Sequence, residues 1–352
     1  MNFQQIVLRE PSLGVGRCYN RYRPVNRIRP TLTRRLTVRM IVLFPDSAHE
    51  KNESDVGKVN PMIPRTFQYF SPRTLDEALS LLQKLGSDAK LLSGGQSLIP
   101  MMKLRLVSPQ YIVDINRIPG LDYISESDGQ LRIGALTREH DLETSDLVKS
   151  KFPILADTAK VIADPLVRNQ ATVCGNLAHG DPANDHPATM LALGAIVVAT
   201  GPKGRREIAV EDFFPGLFTT TLETEEILTE IRIPLPPPQT GGAYLKLERK
   251  VGDFATAGVA VQITLDGAGI CQRAGVGLTN VGLTPIKAKK TEAFLVGKTL
   301  DEVTIKQSAE LAASESAPMD DIRGSADYKR DLVRVLAARA LGRARDRAKG
   351  GA

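Results

Sequence analysis

The sequence has no apolar run long enough to cross a bilayer. Its longest mainly apolar stretch, residues 190–199, is about half of the roughly 20 residues that a spanning helix needs, and no secretory signal pattern is present. A membrane span is excluded, and the chain reads as soluble and globular. Cysteine is scarce: Cys18, Cys174 and Cys271 lie far apart and lack the paired spacing of zinc or iron–sulfur ligands. They are too few for one four-cysteine cluster, so no metal is expected on this chain alone, and they point to a reducing, cytoplasmic compartment. Nothing marks a nucleophile elbow or a Ser-His-Asp or Cys-His arrangement, so no catalytic residue is named. Acid is scarce at one end only. Residues 1–40 hold nine arginines and a single acid, Glu10, a surplus of eight positive charges; against the whole-chain +6, the remainder is net −2. A folded body of that charge carries no general footprint for nucleic acid.

What is present, over 352 residues of which 42% are apolar, suffices for two or three domains with a real core. Residues 1–61 show no sustained period, carry Pro11, Pro24, Pro30, Pro45 and Pro61, and read as a disordered basic extension. A true start at Met62 or Met40, a tail without function, and an arm for targeting or binding all remain open. From Thr66 onward strand and helix signals alternate, as in an α/β or α+β fold. Strands are expected at 67–70, 90–93, 111–114 and 131–134, and helices from Leu75, over 140–145 and over 153–162. The segments 191–199 and 226–233 read as strand-forming at least in part. The proline run Pro234-Leu235-Pro236-Pro237-Pro238 then closes a unit spanning 62–238. Beyond it, strands at 243–249, 258–265 and 271–279, a hairpin turn at Asp266-Gly267-Ala268-Gly269, and helices at 300–314 and 328–348 describe a smaller α+β domain over 239–350.

Two segments carry chemistry. In Ser93-Gly94-Gly95-Gln96-Ser97-Leu98 a strand runs into two glycines and small polar residues, which lets bare backbone N–H groups converge on an anion such as a pyrophosphate. The pattern is neither G-x-G-x-x-G nor G-x-x-x-x-G-K-[ST], so the common nicotinamide and nucleoside triphosphate readings have no support. A tight turn is the plain alternative. The second segment, residues 169–187, reads as a long polar loop. Its Thr172-Val173-Cys174-Gly175-Asn176 stretch suits phosphate oxygens, and Asp185 suits ribose or adenine donors. Loop solvation without a ligand, or a metal on His179, Asp181, Asp185 and His186, are the other readings. The metal spacing matches no helix-borne pair. Cys174 is read as a small buried hydrophobe.

Taken together and in this order, the two segments resemble the FAD pyrophosphate loops of the flavin subunit of molybdenum hydroxylases, the family of the carbon monoxide dehydrogenase medium chain and the xanthine dehydrogenase FAD subunit. The likeness covers nearly all of residues 62–348, including Met101-Met102-Lys103-Leu104-Arg105 and Tyr244-Leu245-Lys246-Leu247-Glu248-Arg249. It implies an α+β fold: the FAD-binding fold shared with vanillyl alcohol oxidase and p-cresol methylhydroxylase, with two α/β subdomains, followed by a small C-terminal domain of antiparallel strands and helices. It implies that Ser93, Gly94, Gly95, Gln96, Ser97 and Leu98, with Thr172, Val173, Cys174, Gly175 and Asn176, wrap the diphosphate of a dissociable FAD. Asp185 would bind the adenosine side, and Leu228 and Lys246 would approach the isoalloxazine ring. Cys174 departs from the family pattern, standing where the first of two glycines is common, and a Cβ there narrows the allowed φ. The implied partners are a large molybdopterin-binding subunit and a small [2Fe–2S] subunit in a dimer of heterotrimers. Electrons would pass from the clusters through this chain to an external acceptor. A self-sufficient flavin oxidoreductase and a flavin-free assembly protein of the same fold are the alternatives.

Overall fold

The computed structural model describes residues 62–351. The expectations placed on residues 1–61 lie outside the described residues.

Strand β1 (Gln68–Phe70) leads into helix α1 (Leu75–Leu85). Thr74 Oγ1 accepts from the Glu77 N–H at 3.2 Å, and the Glu77 carboxylate reaches back to accept from the Arg73 N–H at 2.7 Å. The first bond satisfies an amide that a first helical turn leaves open, and the second ties the incoming chain to that turn. Ala78 and Leu82 face inward. Strand β2 (Ala89–Leu92), helix α2 (Leu98–Lys103) and strand β3 (Tyr111–Asp114) follow, and the three strands form a parallel sheet in the order β1-β3-β2. Parallel neighbours need crossovers, which α1 and α2 supply.

Strands β4 (Ile124–Ser127) and β5 (Gln130–Gly134) open a second sheet. Six helices interrupt it: α3 (Glu139–Thr144), α4 (Asp146–Lys151), α5 (Pro153–Lys160), α6 (Pro165–Arg168), α7 (Val173–His179) and α8 (Asp185–Leu193). Strands β6 (Ile196–Gly201), β7 (Gly204–Ala209) and β8 (Ile227–Pro234) complete an antiparallel sheet ordered β4-β5-β8-β6-β7. Two expectations are corrected here. Residues 169–187 are not a long loop, because Thr172 caps α7, Gly180 ends it in the left-handed conformation, and α8 starts at Asp185. Residues 191–193 are not strand but the end of α8. All nine residues of that helix are buried, and a helix buried on every side lacks the amphipathic period by which helices are recognised in sequence.

Pro234 ends β8 opposite Gln130. Strands β9 (Thr240–Leu247), β10 (Ala257–Leu265), β11 (Cys271–Thr279) and β12 (Ile286–Lys287) then form an antiparallel sheet in the order β12-β11-β10-β9. The turn between β10 and β11 forms because Asp266 Oδ1 accepts from the N–H groups of Ala268 and Ile270 at 2.9 and 2.8 Å. Helices α9 (Lys289–Leu295), α10 (Glu302–Glu315) and α11 (Ala326–Ala348) complete the chain, and α10 and α11 share an apolar core with this sheet. On its other side β11 lies directly on α8. A Cβ at Gly275 or Gly277 would stand 1.9 Å from the carbonyl oxygens of Ala192 and Ala188 respectively, so helix and strand backbones touch. Among the described residues no helix is long and apolar enough to cross a membrane.

Candidate functional site

The chain brings its two glycine segments together. Strand β2 delivers Ser93 to a position where its Oγ lies 2.9 Å from Thr172 Oγ1. The backbones approach more closely still at Gly94: a Cβ there would meet Gln170 O at 2.6 Å, Ala171 Cα at 2.7 Å and Thr172 N at 2.8 Å. Only glycine permits this contact. Gly95 has φ +74°, which turns the chain toward Gln96, Ser97 and the start of α2 at Leu98. Among the described residues, the backbone N–H groups of Gly94, Gly95, Gln96 and Ser97 meet no acceptor. Four successive open amides beside two hydroxyls form a surface suited to an anion.

The second segment is built differently. Thr172 is extended and its Oγ1 accepts from the Gly175 N–H at 3.2 Å. A Cβ at Gly175 would stand 2.6 Å from Thr172 Oγ1 and 3.0 Å from Ser93 Oγ, so glycine keeps both hydroxyls uncovered. Val173 and Cys174 point the other way, into the main core. Cys174 sits in the first turn of α7 without a positive φ, its Sγ 3.6 Å from Gly134 O. Its Cβ therefore strains nothing. Burial pushes the Cys174 thiol pKa well up, reinforced by the carboxylates of Glu139 and Glu230.

Asn176 connects this segment to the next. Its carbonyl accepts from Asn184 Nδ2 at 2.8 Å, while its own Oδ1 is buried without a hydrogen-bond partner. Asp185, one residue past Asn184, is buried: Oδ1 accepts from the Tyr244 hydroxyl at 2.5 Å and Oδ2 from Lys246 Nζ at 3.1 Å. Burial raises the Asp185 carboxyl pKa, opposed by Lys246 and Tyr244. The same burial, with Asp185 alongside, drives the Tyr244 phenol well up. The Lys246 ammonium also faces Glu248 Oε2 at 3.2 Å and donates to Asp253 O at 3.0 Å. Two of its donors are thus hydrogen-bonded, and its charge is met by two carboxylates. Leu228 is buried in β8 within the main core, opposite Ala199 where the strand register shifts.

The four residues weighed as metal ligands diverge. His186 Nε2 pairs with Glu139 Oε2 at 2.6 Å inside the core, Asp185 is taken as described, Asp181 accepts from the Ala183 N–H at 2.9 Å, and His179 packs on Phe218. Among the described residues no group of three or more His, Cys, Asp or Glu is placed to hold a metal ion. Four further residues, Tyr244, Asn184, Asn116 and Arg138, join the site without a role assigned from sequence. Tyr244 is two positions from Lys246 on β9 and so shares its face; Asn184 flanks Asp185. Asn116 and Arg138 carried no local signal, because their contacts span 22 and 32 positions.

Comparison with known proteins decides what this arrangement belongs to. Residues 65–236 match the family described as the FAD binding domain in molybdopterin dehydrogenase, and residues 242–344 match the CO dehydrogenase flavoprotein C-terminal domain. The carbon monoxide dehydrogenase medium chain of Afipia carboxidovorans is 46% identical over 288 residues, covering 82% of this chain and 100% of that protein. The chain is a medium, FAD-binding subunit of the molybdenum hydroxylase family. The 6-hydroxypseudooxynicotine dehydrogenase complex subunit alpha of Paenarthrobacter nicotinovorans is 37% identical over 82% of this chain and 97% of its own length. The solved carbon monoxide dehydrogenase of Hydrogenophaga pseudoflava that lacks the Mo-pyranopterin moiety superposes with a TM-score of 0.78 at 47% identity, covering 80% of this chain and 98% of that one. As a medium subunit the protein binds FAD and works as one component of an oxidoreductase complex. Its geometry fits that cofactor: open amides from Gly94 to Ser97, bare glycines at Gly94 and Gly175 where a Cβ would crowd the cradle, and a buried acceptor on Asn176 without a donor.

Proposed function

We propose that this medium subunit is the point at which electrons leave a molybdenum hydroxylase complex. Its partners are a large molybdopterin-binding subunit and a small subunit carrying [2Fe–2S] clusters, assembled as a dimer of heterotrimers in the cytoplasm. FAD, when bound, supplies redox chemistry that accepts electrons from clusters and passes them to an external acceptor. The protein's part is to hold, orient and shield. Ser93, Gly94, Gly95, Gln96, Ser97 and Leu98 cradle the diphosphate from one side and Thr172, Val173, Cys174, Gly175 and Asn176 from the other, Val173 and Cys174 by anchoring their backbone in the core. Asp185 serves the adenosine side, and Leu228 and Lys246 the ring side. Because Lys246 is matched by two carboxylates, its role there is to fix the local polar frame rather than to supply net positive charge. Residues 62–238 act as the FAD-binding domain and residues 239–350 as the C-terminal domain. Substrate choice belongs to the large subunit.

The observation that carries this reading is the backbone contact at Gly94, which sets four open amides beside Thr172. Gly94→Val is the direct test. The variant is expected to fold, by circular dichroism, yet to purify without flavin absorbance; tight FAD in a folded Gly94→Val protein overturns the assignment of the first segment. For the role, the chain is expected to co-purify with molybdenum- and iron-containing partners. A chain that isolates alone and turns over a small substrate overturns it.

A further inference from the structure

A third stretch of chain, in neither glycine segment, joins the two. Residues 137–139 lead from β5 into α3, and each of them bonds to the second segment. Thr137 O accepts from the Val173 N–H at 3.1 Å, the Glu139 N–H donates to Ala171 O at 3.0 Å, and Arg138 forms an isolated β-bridge with Thr172. The Arg138 guanidinium then reaches both ways. Its Nη1 donates to Gln170 O at 2.5 Å and its Nη2 to Asn116 Oδ1 at 2.8 Å. Asn116 Nδ2 in turn donates to Ser93 O at 2.8 Å. A continuous path therefore runs from the Gln170 carbonyl through Arg138 and Asn116 to the Ser93 carbonyl, closing one segment against the other.

The charge on this path is as informative as its geometry. Both acceptors of the guanidinium are neutral oxygens, and among the described residues Arg138 has no carboxylate ion-pair partner. The carboxylate in the network, Asp114, is occupied elsewhere: Oδ1 accepts from the Asn116 N–H at 2.9 Å and from Asn116 Nδ2 at 2.6 Å, and Oδ2 accepts from the Tyr69 hydroxyl. A planar guanidinium held by two neutral acceptors keeps its positive charge for a third party. The two glycine segments, the first with its four open amides, lie against it.

We propose that Arg138, oriented by Asn116, is a positioning residue for the diphosphate of the bound dinucleotide, fixing the spacing of the two glycine segments and placing a positive charge beside them. This deepens the reading of those segments as the FAD diphosphate site and rests on it. The test uses the full chain, stripped of FAD and titrated with FAD at several salt concentrations by flavin fluorescence, for wild type, Arg138→Gln, Arg138→Lys, Asn116→Ala and Gly94→Val. Arg138→Gln is expected to weaken FAD binding roughly 10- to 100-fold and to flatten the fall of affinity with salt, at an unchanged melting temperature. Arg138→Lys restores the salt dependence and part of the affinity. Asn116→Ala weakens binding while keeping the salt dependence, because the charge stays and only its placement loosens. If Gly94→Val loses FAD while Arg138→Gln keeps wild-type affinity and salt dependence, the inference falls and the site assignment stands. If Gly94→Val binds FAD as wild type does, the site assignment falls and takes the inference with it. If Arg138→Gln loses affinity only in step with its melting temperature and with wild-type salt dependence, Arg138 is a structural residue and the proposal is overturned.

Discussion

The two glycine segments meet at one place but are held in opposite ways. The second starts a helix: Thr172 caps it, Val173 and Cys174 root it in the main core, and Asn184 ties its Asn176 carbonyl to the start of α8. The first hangs from the end of β2 on a three-stranded sheet, and its four amides have no acceptor of their own among the described residues. Its shape comes from contact with the second segment at Gly94 and from Ser93, whose hydroxyl and carbonyl are both held. A rigid half and a dependent half are the usual composition of a site that admits its ligand without being remade by it. The ligand-facing amides stay open, and the entropy of ordering them is met largely by the rigid half.

The largest expected effect probes the rooted side. Lys246→Met leaves the Asp185 carboxylate buried without its cation and takes the same partner from the half-buried Glu248. Unpairing a buried charge costs about 3–5 kcal/mol, and thermal unfolding should show it; a small change would mean that α8 is less firmly tied to β9 than the contrast requires. Next, Thr172→Ala should destabilise the protein by about 1 kcal/mol through loss of the cap, and Ser93→Ala by less, in urea titrations. The reverse order would break the asymmetry between the segments. Hydrogen exchange offers a third check. In FAD-free protein the amides of Gly94, Gly95, Gln96 and Ser97 should exchange fast and slow down when FAD binds, while those of Gly175 and Asn176 stay protected in both states. Equal changes in both segments would erase the distinction. The smallest effect concerns Cys174. Its pKa is raised, so it remains a neutral thiol up to and beyond its ordinary titration range. The peptide containing it should resist alkylation at pH 8 until denaturant is added, and rapid labelling of the native protein would show that α7 opens.

The two segments were legible because their signal is local: glycines and hydroxyls that free or engage the amides beside them. The hairpin at Asp266 was legible for the same reason, a carboxylate serving amides two and four residues on. Helix α7 was hidden because its apolar residues are few and its start depends on one threonine hydroxyl. Helix α8 was hidden because burial on every side removes the amphipathic period. Arg138 and Asn116 stayed invisible because their partners come from elements that only folding brings near. The same holds for the pairing of Lys246 with Asp185, 61 positions away. The likeness to the family implies a place for Lys246 near the cofactor, but its hydrogen bonds to Asp185 and Asp253 are visible only in the folded chain.

The bare contact between α8 and β11 also sets the terms on which this protein can be recombined with its relatives. A chimera spliced at the proline run would separate a helix from the strand whose two glycines make room for it. Any donor sheet carrying a side chain in place of Gly275 or Gly277 would collide with the Ala192 or Ala188 carbonyl. A workable exchange therefore keeps glycine at both positions, so that the backbone of α8 still finds room on the incoming sheet.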